Sequence, residues 1–172
     1  LSILARLFGP PRDRQTLRPL YEAAVARARD PAWYQAGGVP DTIDGRFDMV
    51  AAVLALVLLR LEREGRAAAG EAALLTEIFI DDMDGTMREL GIGDVVVGKR
   101  VGKLLGVLGA RKEALRGGLE EDGDLEAVVA RTVFRGGPPS AEACAFVGAR
   151  LRSLHAALSS VAIADLVAGR LP

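Results

Sequence analysis

The chain has one cysteine and one histidine, Cys144 and His155, among 172 residues. A structural zinc site needs several such side chains. A di-iron helix bundle needs paired Glu-x-x-His motifs, and here Arg152 stands three before the only histidine. A lone cysteine closes no internal disulfide. Set in Ala143-Cys144-Ala145-Phe146-Val147, it reads as an inert buried thiol of a protein from a reducing compartment. Aromatics are scarce, with five Phe, two Tyr and one Trp. A membrane-spanning run is missing too. The longest apolar stretch, residues 49–59, has eleven residues before Arg60 closes it. Crossing a bilayer takes roughly 20. Residues 1–8 carry one arginine and no cleavage-like site, so they do not read as a signal peptide. Net charge is -1, which argues against general nucleic-acid binding and against DNA as a partner. There is no nucleophile-elbow phrase, and Gly91-Ile92-Gly93 lacks the preceding strand and the third glycine of a dinucleotide loop. No catalytic residue, metal, cofactor or small-molecule substrate is expected.

What is present is apolar, mostly Leu, Ala and Val, and half of the chain is hydrophobic. Periodicity sorts it into helices. Leu17, Leu20, Tyr21, Ala24, Val25 and Ala28 recur at three- and four-residue spacings, predicting a helix over 15–29 that Asp30-Pro31 ends. Trp33 and Tyr34 follow in a short turn. Pro40 fixes its own φ and holds Val39 extended, so Asp41, Thr42 or Asp44 can cap a helix over 44–64, with Asp41 or Asp44 preferred. Arg46 is expected in a charge-assisted pair. The apolar run would make this helix central and nearly all buried. A third helix is predicted over 68–90, its stripe made by Leu74, Leu75, Ile78, Phe79, Met83, Met87 and Leu90. A turn at 91–94, with Asp94 as cap, leads to a fourth over 95–116. The acidic run 120–124 is an exposed break, a short helix covers 125–134, and Ser140 caps a last helix over 141–168. No segment alternates as a strand would. The fold class is all-α: one irregular helical bundle of about six or seven helices spanning 1–172, with a flexible end at 1–13.

Two charged groups invite a functional reading. Asp81-Asp82-Met83-Asp84 is similar to the aspartate-rich helix of isoprenoid-type enzymes, where paired carboxylates hold magnesium and a diphosphate. Asp81 and Asp84 share a helix face, but the facing carboxylate cluster is missing. The expectation is therefore no metal, with Asp82 the most exposed and Asp81 or Asp84 paired with Arg88. The second group is a basic row, Lys99, Arg100, Lys103, Arg111, Lys112 and Arg116, with Glu113 its only acid and leucines and valines interleaved. Such a helix can bury an apolar stripe and offer a basic one to anionic lipid, ribosomal RNA or an acidic protein. The plainer alternative is a solvated face paired with the chain's own acids.

Three phrases stand out in order. They are Gly38-Val39-Pro40-Asp41-Thr42-Ile43-Asp44-Gly45-Arg46-Phe47-Asp48, then Phe79-Ile80-Asp81-Asp82-Met83-Asp84 with Met87-Arg88-Glu89-Leu90-Gly91-Ile92-Gly93-Asp94, then Val97-Gly98-Lys99-Arg100-Val101. In these the chain resembles the ubiquinol–cytochrome c chaperones, helical assembly factors for the respiratory bc1 complex. The resemblance implies a non-enzymatic chaperone whose client is a nascent or newly inserted membrane protein, cytochrome b. It implies action near the ribosomal exit tunnel and the inner membrane. It also marks Pro40, Asp41, Asp44, Arg46, Phe47, Asp81, Asp82, Asp84 and Arg88 as structural or interface residues. With no import segment read at 1–8, a bacterial member is expected, cytoplasmic or peripheral at the inner membrane. The other readings are the isoprenoid-type enzyme and a helical interaction domain with an unrelated partner.

Overall fold

The computed structural model describes the backbone of residues 14–89 and 97–172, with side chains there except at 87–89 and 97–101. The expected end at 1–13, the turn at 91–94 and its Asp94 cap lie outside the described residues. Within them all regular structure is helical: α1 Arg14–Ala28, α2 Pro31–Gln35, α3 Ile43–Glu62, α4 Ala69–Glu89, α5 Val97–Gly118, α6 Leu125–Thr132, α7 Ala141–Ser159 and α8 Ile163–Val167. A 3-10 turn, Gly65–Ala68, joins α3 to α4. Six of these helices are longer than one turn or two, matching the all-α bundle predicted from periodicity.

α3 is the axis. Every residue from 49 to 61 is buried, and α1, α4, α5 and α7 all pack against it. Each large apolar side chain so buried contributes about 1.5–3 kcal/mol relative to exposure. The helix begins at Thr42, whose hydroxyl accepts from the Gly45 N–H at 3.1 Å. Asp41 and Asp44, the preferred caps, do not cap. Asp41 pairs with Arg46 at 2.6 Å, and Asp44 with Arg135 at 3.0 Å. The turn explains the choice of residue. A Cβ on Gly45 would sit 1.9 Å from the Pro40 carbonyl oxygen, so the chain doubles back on the glycine and Thr42 lands at the cap.

α1 and α2 are joined by a compact set of caps. The Asp30 carboxylate accepts from the Ala32 N–H at 2.9 Å, and Pro31 fills the first helical position. Trp33 and Tyr34 therefore lie in a one-turn helix, not in an open turn. The Trp33 indole donates to the Arg27 carbonyl at 2.8 Å and the Tyr34 hydroxyl to that of Ala28 at 2.9 Å. The last carbonyls of α1 are thus satisfied by side chains from the next element.

Ser140 caps α7 as expected, accepting from Ala143 N–H at 3.2 Å. The predicted last helix over 141–168 is broken, however, after Ser159. The Arg60 guanidinium, buried in α3, donates to the Leu158 and Val161 carbonyls, both at 3.0 Å. The Leu158 carbonyl belongs to the last turn of α7 and that of Val161 follows just beyond it, and a cation there is favoured through both hydrogen bonding and the helix dipole. α8 then turns back onto α1. Gly169 makes that return possible: its φ is +81°, and a Cβ there would lie 2.8 Å from the Pro19 carbonyl oxygen.

Candidate functional site

A groove of about 500 Å³ opens along the bundle where α4 and α5 part over α3. Leu58 of α3 is its floor. α4 contributes the small side chains Ala72, Ala73 and Thr76, then Ile80. The Thr76 hydroxyl donates to the Ala72 carbonyl at 2.8 Å, so its donor is already occupied. α5 turns Leu104, Leu108, Arg111 and Leu115 into the core. Leu105 lies about 100° further round the helix. It faces the groove and is 45% exposed, a large apolar side chain left uncovered.

The groove's rim is charged but internally neutralised. Glu62 meets both Lys112 and Arg116, and Glu77 takes the Arg14 guanidinium at 3.0 Å. Burial pushes the Glu62 carboxyl up, but the hydrogen bonds from Lys112 and Arg116 outweigh it and hold it below its ordinary value. The site therefore offers an apolar trough with little net charge at its edge. It has no nucleophile–base pair, and among the described residues no three His, Cys, Asp or Glu side chains gather as a metal would require.

The basic row does not form one surface. Arg111 is buried, its side chain 7% exposed. It donates to the Asp48 backbone carbonyl, to the Asp48 carboxylate at 2.8 Å and to the Thr132 carbonyl at 2.7 Å. Burial pulls its pKa down, with Asp48 opposing. Arg135 completes the network. It binds the other Asp48 oxygen at 2.7 Å and adopts a left-handed φ of 53° to reach it. Lys112 and Arg116 are held at Glu62, and Arg116 also at Glu113, at 3.0 Å. Lys103 is exposed. Lys99 and Arg100 fall where side chains are not described. Arg111 is thus removed from the candidate partner face, and two further members serve packing between α3 and α5.

The aspartate group is engaged at the surface, with Asp81 and Asp82 both exposed. Asp81 accepts from Arg14. The expected pairing of Asp81 or Asp84 with Arg88 lies outside the described residues, because the Arg88 side chain is not among them. Asp82 accepts from the Tyr21 hydroxyl at 2.7 Å. Burial, then Asp82, raises the pKa of that phenol, so Tyr21 stays protonated and donating. Asp84 is half-buried. These contacts fasten α4 to α1, and they leave Asp81 and Asp82 engaged with a cation and a phenol. Phe47, from the first phrase, packs on Phe79 from the second with ring centroids 6.0 Å apart. The two phrases thus meet at one helix junction. Pro40 stays at the exposed turn.

Sequence reasoning missed Leu105, Arg60, Arg135 and Arg150. Arg60 carried a signal, since a cation ending an eleven-residue apolar run on a buried helix needs a partner. Arg135 directly precedes Gly136-Gly137, where a turn with positive φ is to be expected. Arg150 lies over the Trp33 ring at 4.7 Å and pairs with Asp30 at 2.7 Å. Nothing local announces it.

Comparison with known proteins supplies the frame for this geometry. The family model described as ubiquinol-cytochrome C chaperone matches residues 35–171. The crystal structure of the Cbp3 homolog from Brucella abortus superposes with a TM-score of 0.80 at 30% identity, covering 91% of this chain and 87% of that one. No curated protein sequence matches. With the family model spanning most of the chain and the solved relative sharing its helices, the protein belongs to the ubiquinol–cytochrome c chaperone family.

Proposed function

We propose that the protein holds an apolar segment of newly made cytochrome b in the α3–α4–α5 groove until that segment is passed to the assembling bc1 complex. The family is one of chaperones, not of enzymes, and its client is a membrane protein of the respiratory chain. The observation that carries the reading is the uncovered Leu105 beside a trough walled by Ala72, Ala73 and Thr76. Small wall residues admit a helix close to the α4 backbone, and an apolar lining rewards burial of uncharged side chains. Holding is the mechanism. Leu105 and the trough beside it give a client's apolar side chains a surface to cover.

In this reading the protein works beside the membrane, at the cytoplasmic face. No helix among the described residues is long and apolar enough to cross a bilayer. Lys103 and its sequence neighbours Lys99 and Arg100 remain candidates to meet lipid headgroups or ribosomal RNA. Binding of that kind weakens steeply from about 50 to 300 mM salt as the Debye length contracts. Charge reversal of the three to Glu is expected to remove it.

The groove is tested with a photo-crosslinking amino acid placed at Leu105, at Ala73 and, as control, at Arg131, an exposed residue of α6. Each variant is added during translation of cytochrome b fragments. Crosslinks from the first two positions and none from Arg131 are expected. Ala73→Trp, which fills the trough from an exposed position, is expected to reduce capture without changing the melting temperature. Equal crosslinking from all three sites, or full capture by the tryptophan variant, refutes the groove.

A further inference from the structure

A second cleft, of about 320 Å³, lies on another face between α2 and the first turn of α3. Arg29, Tyr34, Asp41 and Arg46 line it, with Pro31 and Gln35 at its edge. Asp41 and Arg46 come from the Gly38-to-Asp48 phrase and are not needed for the helix start, because Thr42 does the capping. We propose that this cleft binds carboxylate side chains on an acidic segment of a partner protein.

Charge in the cleft is unbalanced in a specific way. Asp30, the nearest acid to Arg29 along the chain, is engaged elsewhere. One of its oxygens accepts from the Ala32 N–H at 2.9 Å, and the other serves Arg150 at 2.7 Å and Arg27 at 3.7 Å. Among the described residues Arg29 therefore has no ion pair. Arg46 has one, Asp41 at 2.6 Å, but both side chains are more than half exposed, 56% and 58%. Exposed pairs of this kind contribute little to stability and exchange readily. An incoming carboxylate can take the place of Asp41 on Arg46 while a second reaches Arg29.

The frame under these arginines is stiff. The Val39 N–H donates to the Trp33 carbonyl at 3.1 Å, and Gly45 is pressed against Pro40. The Tyr34 hydroxyl is committed to the Ala28 carbonyl, so it offers the ring and not a hydrogen bond. Guanidinium groups on a fixed base recognise planar oxyanions in forked geometry, which a lysine does not. A carboxylate is favoured over phosphate because Asp41 already shows a carboxylate seated on Arg46, and its own charge opposes a dianion more strongly. Two exposed arginine heads in a small cleft of about 320 Å³, with Tyr34 and Pro31 beside them, suit a short peptide and not an extended polyanion such as RNA.

The test uses the full chain and a fluorescein-labelled peptide of six glutamates at about 50 mM salt, where screening is weak. Arg29→Gln with Arg46→Gln is expected to weaken binding about tenfold or more, the loss of two charge-assisted hydrogen bonds. Asp41→Asn, which frees Arg46, is expected to tighten it, while Glu121→Gln, the same charge change in a distant exposed loop, leaves it unaltered. In the wild type, the Arg29 and Arg46 Nε–H resonances shift as peptide is added, a reading that does not depend on any variant folding. Unchanged affinity in the double variant, equal tightening by Glu121→Gln, or stationary arginine resonances each overturns the proposal. So does displacement of the peptide by inorganic phosphate or phosphatidylglycerol vesicles at lower charge concentration than glutamate itself.

Discussion

Asp48→Ala is expected to be among the most damaging substitutions in the chain, although it removes only one small side chain. Asp48 is 2% exposed and anchors two arginines from different elements, Arg111 of α5 at 2.8 Å and Arg135 of the loop after α6 at 2.7 Å. Alanine leaves the Arg111 guanidinium in the core with carbonyl partners only, those of residue 48 and Thr132. Breaking a buried pair from one side costs about 3–5 kcal/mol, because the remaining charge is desolvated without compensation. That is a large part of a typical total of about 5–15 kcal/mol. At about 2–4 °C per kcal/mol for a chain of this size, the melting temperature should fall by roughly 6–20 °C. Urea unfolding followed by circular dichroism gives the free energy directly. The companion variant is the double change Asp48→Leu with Arg111→Met. It replaces the pair by apolar groups of similar volume and should recover most of the loss, since such swaps are often near neutral. A single variant that loses less than about 1 kcal/mol, or a double variant no better than Asp48→Ala, refutes the reasoning.

Three other outcomes follow from the same structure. Val53→Asp or Leu56→Asp places an unpaired charge at a position with no exposure in α3, and each should yield insoluble protein on expression. Arg60→Leu keeps the apolar packing but uncaps α7. It should cost about 1–3 kcal/mol and speed amide exchange in the last turn of α7, measurable by mass spectrometry. Stability should decline in two stages on acidification. Burial, then Arg63, lowers the His155 pKa, so the fold holds the neutral imidazole. Its contribution is complete above about pH 6.5 and falls as the unfolded chain takes up the proton. Asp30, held low chiefly by the Ala32 N–H, and Glu62, held low by Lys112 and Arg116 against its burial, contribute above the unfolded carboxyl values of about 4. That stability is lost as pH falls through their folded values. Urea midpoints from pH 8 to 3 check this, and His155→Gln should abolish the upper stage alone.

What could be read from the sequence was whatever is local or periodic. The central helix was legible because an apolar run too short for a bilayer, preceded by Pro40 and a choice of caps, has few other fates. The choice among Asp41, Thr42 and Asp44 was not, since all are good caps. It depends on the Pro40–Gly45 approach, a contact made only once the turn exists. The break after Ser159 was not legible either. Residues 159–162 contain no glycine or proline, and the helix ends there because Arg60, 98 residues earlier, takes the Leu158 carbonyl.

The basic row shows most clearly where the signal lay and why it misled. Along α5 the core-facing residues Leu104, Leu108, Arg111 and Leu115 fall at spacings of four, three and four. That is the repeat of a buried stripe, and Arg111 sits squarely in it. Its position was therefore readable as core while its charge suggested surface. The conflict resolves only if a carboxylate arrives from elsewhere, and Asp48 does so from 63 residues away on α3. A buried cation's place on its helix is periodic, but its counter-ion is a tertiary fact. The uncovered Leu105 follows from the same geometry. With Arg111 and the leucines turned toward α3, the residue next to Leu104 must face the seam with α4. There the small side chains of α4 leave it 45% exposed, and the groove is the consequence.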